Sequence, residues 1–156
     1  MKRILTICLA IAALTGAIAQ EKKPAAPAKK LELKDLPPAV QKTIQAESKG
    51  AEIKNIGKET ERGVAQYEVE TMLNGKHRDF SVDTKGVLLE VEEETTIDAI
   101  PATARATILQ KVAAGKLGRV ELFKRGGGTM YEAAYTSRDG KKHEVLVKAD
   151  GTETKE

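Results

Sequence analysis

The feature that most constrains the fold of this chain is a similarity between its two halves. Leu36-Pro37 recurs 64 residues later as Ile100-Pro101, and Asn74-Gly75-Lys76 recurs 65 residues later as Asp139-Gly140-Lys141. The one-residue difference is typical of an insertion at a hairpin tip, where extra residues cost little. The spacing is longer than the period of ordinary solenoid repeats. It predicts two duplicated subdomains in tandem.

Each half predicts one helix followed by antiparallel strands. Pro37 or Pro38 opens the first helix and Pro101 the second, because the first helical turn does not need the missing N–H group. Alternating apolar residues and the turn at Asn74-Gly75 then predict strands joined by hairpins, of which the last, over 152–156, is short or absent. We therefore expect an α+β fold of two tandem helix-plus-antiparallel-sheet units, each α-β-β-β-β, with the helices on one side of the sheet.

The N-terminus has the composition of an export signal. Lys2 and Arg3 precede an apolar run over 4–18, and Ala17-Ile18-Ala19 supplies small residues where signal peptidase requires them. Residues 1–19 are therefore predicted as a signal peptide, with a retained membrane anchor as the alternative. After cleavage the protein is expected to be secreted or periplasmic, in a bacterium, without a membrane span.

Three further segments follow this signal. Residues 20–34 are rich in Pro, Ala and Lys and lack apolar periodicity, which predicts a flexible linker. Residues 35–95 form the first predicted unit, and residues 96–156 form the second. The only cysteine, Cys8, lies inside the signal segment, so the mature chain is expected to have no disulfide and no Cys-ligated zinc site.

Composition argues against nucleic acid as a partner. The chain has 26 Lys and Arg residues against 23 Asp and Glu residues, and Lys2 and Arg3 of the signal segment supply part of that excess. Aromatic residues make up 3% of the chain. Both the basic footprint and the stacking rings that nucleic-acid binding uses are therefore missing from the sequence.

The sequence contains no recognisable catalytic set. Ser48, Ser81 and Ser137 lack the nucleophile-elbow motif. His77 and His143 lack the clustered ligands that are typical of metal sites, and we interpret both as exposed strand residues. We expect no enzymatic activity and no cofactor.

An acidic run lies at the end of the first predicted unit. It consists of Glu90, Glu92, Glu93 and Glu94, with Asp98 beyond them. The run could bind calcium, but it lacks the glycine and the ligand spacing of known calcium loops. We interpret it as a solvated face that protects a sheet edge. With His77, it keeps open an alternative function, the periplasmic binding or sensing of a small ligand or metal ion.

Several motifs of the two halves form a recognisable pattern. They are Leu36-Pro37-x-x-Val40, Tyr67-Glu68-Val69-Glu70, Asn74-Gly75-Lys76 and Val82-Asp83-x-x-Gly86-x-Leu88, echoed by Ile100-Pro101, Tyr131-Glu132-Ala133 and Asp139-Gly140-Lys141. This pattern resembles the PepSY-like family of secreted bacterial proteins, also described as β-lactamase-inhibitor-like domains. The resemblance implies a helix-plus-antiparallel-sheet fold, a secreted or periplasmic location and a role in restraining extracellular hydrolases, without catalytic residues.

The expected function is that of a secreted, non-enzymatic binding module. Its sheet face and hairpin tips would hold an unidentified extracytoplasmic protein, with the restraint or inhibition of a hydrolase as one form of that role. The candidate partner-binding residues are Tyr67, Tyr131, Asn74, Arg78 and Arg125. The two tyrosines also fit an interpretation as core residues, which the apolar Val69 and Ala133 on the same strand faces favour.

Overall fold

The computed structural model describes residues 31–155 of the chain. The helices are α1, Pro38–Glu47, and α2, Ala102–Val112, and a short 3-10 turn, Leu33–Asp35, precedes α1. The strands are β1 Glu52–Glu61, β2 Val64–Leu73, β3 Lys76–Asp83, β4 Leu88–Thr95, β5 Lys116–Arg125, β6 Gly128–Thr136, β7 Lys142–Lys148 and β8 Glu153–Thr154.

All eight strands belong to one antiparallel sheet, in the order β1 to β8. β4 lies beside β5 and pairs with it from Glu90–Arg125 to Thr95–Val120. The predicted fold class of two tandem, duplicated helix-plus-sheet units is therefore wrong, because the structure is a single continuous sheet with two helices. The physical reason is that pairing β4 with β5 satisfies backbone N–H and C=O groups that two separate sheets would expose at their edges.

Two hydrophobic cores lie on the same face of this sheet. The first joins α1, through Val40 and Ile44, to β1–β4, and the second joins α2 to β5–β7. Val91 of β4 belongs to the first core, and Thr95, four residues further along β4, pairs with Val120 of the second core. Because side chains alternate between faces along a strand, both helices cover one face and leave the opposite face open.

Local turn chemistry connects neighbouring strands as the sequence predicts. Asn74 and Gly75 have φ angles of 54° and 79°, so both adopt the left-handed conformation that the Asn-Gly pair favours. β2 consequently ends at Leu73 and β3 begins at Lys76. The last strand, β8, is only two residues long, in agreement with the expectation of a short fourth strand.

The described chain begins against the first core. Leu31 donates its backbone N–H to the carbonyl oxygen of Ile56 over 2.9 Å, and Leu31 and Leu33 pack against the core. Residues 31–34, the last of the predicted linker, therefore contact the edge strand β1. The predicted signal peptide over 1–19 and linker residues 20–30 lie outside the described residues. Neither α1 nor α2 is long and apolar enough to cross a membrane, and no other helix in the described residues is.

Candidate functional site

The open face of the sheet is crowded with acidic side chains. The antiparallel register places Asp79 of β3 opposite Glu92 of β4. It places Glu121 of β5 between Glu94 of β4 and Glu132 of β6. Like charges directly opposite one another in a sheet are destabilising. Favourable cross-strand pairing therefore does not account for this arrangement.

These side chains line one cavity of about 400 Å³, which we call the acidic depression. Its lining residues are Glu68, Glu70, His77, Asp79, Glu92, Arg119, Glu121, Glu132 and Glu144. They come from the six neighbouring strands β2 to β7 and comprise seven carboxyl groups, one guanidinium and one imidazole. A cleft lined mainly by one sign of charge focuses the electric field and attracts ligands of the opposite charge.

The floor of the acidic depression is shielded from water. Glu121 is 6% exposed and Glu132 is 8% exposed. Phe123 and Leu146, which are 1% and 5% exposed, lie on the same open face and outside both cores. Among the described residues, Oε1 of Glu121 accepts no hydrogen bond, and it lies 3.4 Å from Nε of Arg119. Carboxyl groups that are withdrawn from water in a cleft in this way are candidates for a functional site.

Burial changes the protonation of this site. The pKa of Glu92 is raised from 4.5 to about 8, first by burial and then by the neighbouring carboxylates, of which Glu132 and Glu121 have the largest effect. Burial also raises the pKa of Asp79, against the opposing effect of a backbone hydrogen bond, and it raises the pKa of Glu121. Glu92 therefore holds a proton at neutral pH.

The structure does not bring the residues predicted for partner binding together. Tyr67 lies in the first core and is 6% exposed, and Tyr131 packs against the second core. Arg78 lies on the same side of the sheet, where it donates to the carbonyl oxygen of Glu47 at the end of α1 over 2.9 Å. Asn74 lies at the exposed turn between β2 and β3. Three of these four residues thus face the helices.

Arg125, the fifth predicted residue, lies on the open face. It forms ion pairs with Glu90 and, over 3.0 Å, with Glu61. Its guanidinium group lies 4.7 Å from the centre of the Phe123 ring. These contacts join β5 to β4 and to the hairpin between β1 and β2. The side chain is engaged within the protein, which points to a stabilising role.

Removing this side chain is expected to loosen the sheet. Arg125→Ala takes away a cation that lies against Glu90 and Glu61 and uncovers the Phe123 ring, so we expect a loss of about 1 to 3 kcal/mol of unfolding free energy. Urea denaturation followed by circular dichroism measures the loss. The control is Arg62→Ala, because Arg62 is exposed and lies 3.9 Å from Glu61. Equal losses in the two variants would contradict this account.

The interpretation of the acidic run as protection of a sheet edge is wrong. β4 is an interior strand between β3 and β5. Glu92 lines the acidic depression on the open face. Glu93 faces the helices, where it lies 3.3 Å from Arg78. Alternation along β4 predicts that Glu92 and Glu93 lie on opposite faces of the sheet. Which residues lie beside each of them depends on the strand order, and the sequence pattern does not contain that order.

Neither a metal site nor a catalytic triad is assembled in residues 31–155. No group of three or more His, Cys, Asp or Glu side chains in this part of the chain is arranged to hold a metal ion. Ser137 Oγ lies 3.1 Å from Nε2 of His143, but its hydroxyl donates to Asp139 over 2.5 Å. In a triad the histidine accepts that proton and the acid orients the histidine. In this exposed turn the serine hydroxyl contacts the acid directly, so Ser137, His143 and Asp139 do not have the arrangement of a triad.

Three solved structures from Bacteroides species have a similar fold. A Bacteroides eggerthii protein described as periplasmic matches with a TM-score of 0.63 and 14% identity, over 77% of this chain and 86% of that one. A DUF2874 family protein from Bacteroides ovatus matches with a TM-score of 0.60 and 14% identity, over 77% and 85%. A BLIP-like protein from Bacteroides fragilis matches with a TM-score of 0.56 and 17% identity, over 77% and 84%. No family model and no curated protein sequence matches the chain.

Fold and site together define a class: an α+β protein with one antiparallel sheet, two helices on one face and an acidic depression on the other. The fold is that of the DUF2874 and BLIP-like structures, which fits the inhibitor-like part of the predicted resemblance. The PepSY part stays a prediction. The neighbour described as periplasmic agrees with the predicted extracytoplasmic location, and none of the three neighbours is described as an enzyme.

Proposed function

We propose that this protein is a non-enzymatic periplasmic binding module that holds a protein partner on the open face of its sheet. The partner inserts a lysine or arginine side chain into the acidic depression. The observation that carries the proposal is the charge of that depression, where seven carboxyl groups meet one guanidinium and one imidazole. The complementary surface on the partner is therefore basic.

Burial strengthens this charge argument. Glu121 and Glu132 are more than nine-tenths buried on the floor of the depression. Arg119, the one guanidinium of the lining, is 41% exposed and lies beside Glu121 and Asp79 at the rim. Inside a shielded cavity an added cation interacts with carboxylates more strongly than it does in water. Arginine is also a common anchor at the centre of protein interfaces.

The role that we propose for this contact is the restraint of an extracytoplasmic hydrolase. The support is the resemblance of the sequence to inhibitor-like domains and the likeness of the fold to a BLIP-like protein. Asn74, at the tip of the hairpin between β2 and β3, borders the face as a further contact for the partner. Tyr67, Tyr131 and Arg78 stay outside this surface, because they lie on the helix side of the sheet.

A defined cationic peptide tests the proposal. A terminally blocked tri-arginine peptide is expected to bind the full chain and to shift amide NMR signals of β2 to β7, while its citrulline counterpart, which lacks the charge, is not. The affinity should fall as NaCl rises from about 20 to 300 mM, because salt screens exposed charges. Equal binding of the two peptides, or shifts confined to the helices, would overturn the proposal.

Two variants of equal net charge locate the contact. Glu68→Gln with Glu144→Gln removes two exposed carboxylates from the lining. Its control, Glu32→Gln with Glu52→Gln, removes two exposed carboxylates elsewhere. We expect the first pair of substitutions to weaken binding of the tri-arginine peptide about 3- to 10-fold and the control pair to weaken it less than 2-fold. The reason is that one exposed ion pair contributes about 0.2 to 1 kcal/mol. A hydrolase from envelope extract is identified as the partner if the wild-type protein and the control variant inhibit it and the variant with Glu68→Gln and Glu144→Gln does not.

A further inference from the structure

We propose that the acidic depression exchanges a proton for the cation of its partner. In the free protein the carboxyl cluster around Glu92 holds a proton at neutral pH, and entry of a guanidinium or ammonium group expels it. The pH then sets the affinity of the interface. The exchange of the proton for a cation rests on the proposed function. The presence of the proton in the free protein does not, and it can be tested without any partner.

The position of Glu92 is the first support. It lies on β4, in the middle of the sheet, with Asp79 opposite it on β3 and the buried Phe123 opposite it on β5. Among residues 31–155, no side chain or backbone group forms a hydrogen bond or an ion pair with its carboxyl group. A carboxyl group that is partly buried without a cation or a donor is more stable in its neutral form.

The surrounding charges are the second support. The acidic groups that face Glu92 are Glu90 and Glu94 on its own strand, Glu68 and Glu70 on β2, Asp79 on β3, Glu121 on β5, Glu132 on β6 and Glu144 on β7. The cationic groups of the lining are His77 on β3 and Arg119 on β5. The other cationic groups that the register places on this face lie outside the lining: Arg125 and the exposed Lys116 on β5, and the exposed Lys142 and Lys148 on β7. The lining as a whole therefore holds seven carboxyl groups against two cationic groups.

His77, Arg119 and Arg125 already lie against carboxylates other than that of Glu92. His77 is 4.0 Å from Asp79. Arg119 lies between Asp79 and Glu121. Arg125 pairs with Glu90 and Glu61. Glu92 thus lacks a counter-charge inside the protein, and burial together with its acidic neighbours raises its pKa to about 8.

A cation from outside reverses this balance. An opposite charge within about 4 to 6 Å lowers the pKa of a carboxyl group, so a bound guanidinium makes Glu92 release its proton. Linkage then requires the affinity for the cation to rise with pH while the free protein still holds the proton, by at most about tenfold per pH unit. Above the pKa of free Glu92, the affinity becomes independent of pH.

Carboxyl-carbon NMR of the free, full chain tests the first half of the inference. We expect one Glu carboxyl signal to titrate near pH 8, far above the others, and to be missing in Glu92→Gln. Glu144→Gln, which removes an exposed carboxyl of the same lining, is the control and should retain the high titration. A Glu92 signal that titrates near its ordinary value of 4.5 would overturn the inference, whatever the peptide does.

Calorimetry with the blocked tri-arginine peptide tests the second half, because this peptide does not titrate near neutral pH. Between pH 6 and 8 the affinity of the wild-type protein should rise by up to about tenfold per unit and then level off. Measurements in two buffers of different ionisation enthalpy should count up to one released proton at pH 7 and none in Glu92→Gln. Binding without pH dependence or proton release would overturn the exchange alone. Absence of binding at every pH would overturn the proposed function and the exchange with it.

Discussion

Glu92→Gln is expected to make the protein more stable at pH 9 while changing its stability at pH 4 very little. In the folded protein the pKa of Glu92 is about 8, against 4.5 for an ordinary glutamic acid. The folded state therefore binds this proton more tightly than the unfolded chain does. The contribution of Glu92 to the free energy of unfolding is therefore fully present below pH 4.5, and it is lost as the pH rises through about 8.

Glutamine keeps the shape of the neutral side chain and cannot ionise, so the variant avoids this loss. One pKa unit corresponds to about 1.4 kcal/mol, and relaxation around the ionised group reduces the full linkage, so we expect a gain of about 2 to 4 kcal/mol at pH 9. Urea denaturation at pH 4, 7 and 9 measures it. Glu144→Gln controls for the loss of one exposed negative charge from the same face. Parallel pH profiles for wild type and Glu92→Gln would show that Glu92 ionises normally.

Gly86→Ala is expected to separate α1 from the sheet. Gly86 lies in the turn between β3 and β4 with φ of 87°, and an added Cβ would lie 2.7 Å from the backbone oxygen of Ala39 in α1. Thr43 of α1 donates its hydroxyl to the carbonyl oxygen of Gly86 over 2.6 Å, which holds the two backbones together. The left-handed conformation and the clash together cost about 2 to 5 kcal/mol of unfolding free energy.

Gly75→Ala is the matched control for this effect. Gly75 has a φ of 79°, but an added Cβ would have no neighbour within 4 Å. Only the conformational cost of about 1 to 2 kcal/mol therefore applies. Urea denaturation of both variants gives the difference, and exchange of the α1 amide hydrogens should accelerate in Gly86→Ala alone. Equal losses of stability would mean that the close approach of α1 to this turn contributes nothing.

Several elements of the fold were predictable because their causes are local. Pro38 begins α1, and Pro101 directly precedes α2, as proline at a helix start predicts. The turn at Asn74-Gly75 follows from two residues that accept a positive φ. The alternation of side chains along each strand likewise separates the residues of one face from those of the other.

The candidate site was not predictable in the same way. Glu92 and Glu132 are 40 residues apart in the sequence and belong to strands separated by β5. Their proximity depends on the pairing of β4 with β5, which also moves the acidic run from a presumed edge to the interior of the sheet. Arg125 was predicted to bind a partner, yet its side chain pairs with Glu61 and Glu90, which no local sequence pattern connects to it.

By itself, the sequence determined where the helices begin, where the hairpins turn and which side chains share a strand face. Only the tertiary structure decided that the eight strands form one sheet, that Tyr67 and Tyr131 lie beneath the helices and that acidic residues of six strands meet on the open face. The physical reason is the range of the interactions. Turns and helix starts depend on adjacent residues, whereas strand order depends on backbone hydrogen bonds between distant segments, and alternation alone is compatible with many such orders.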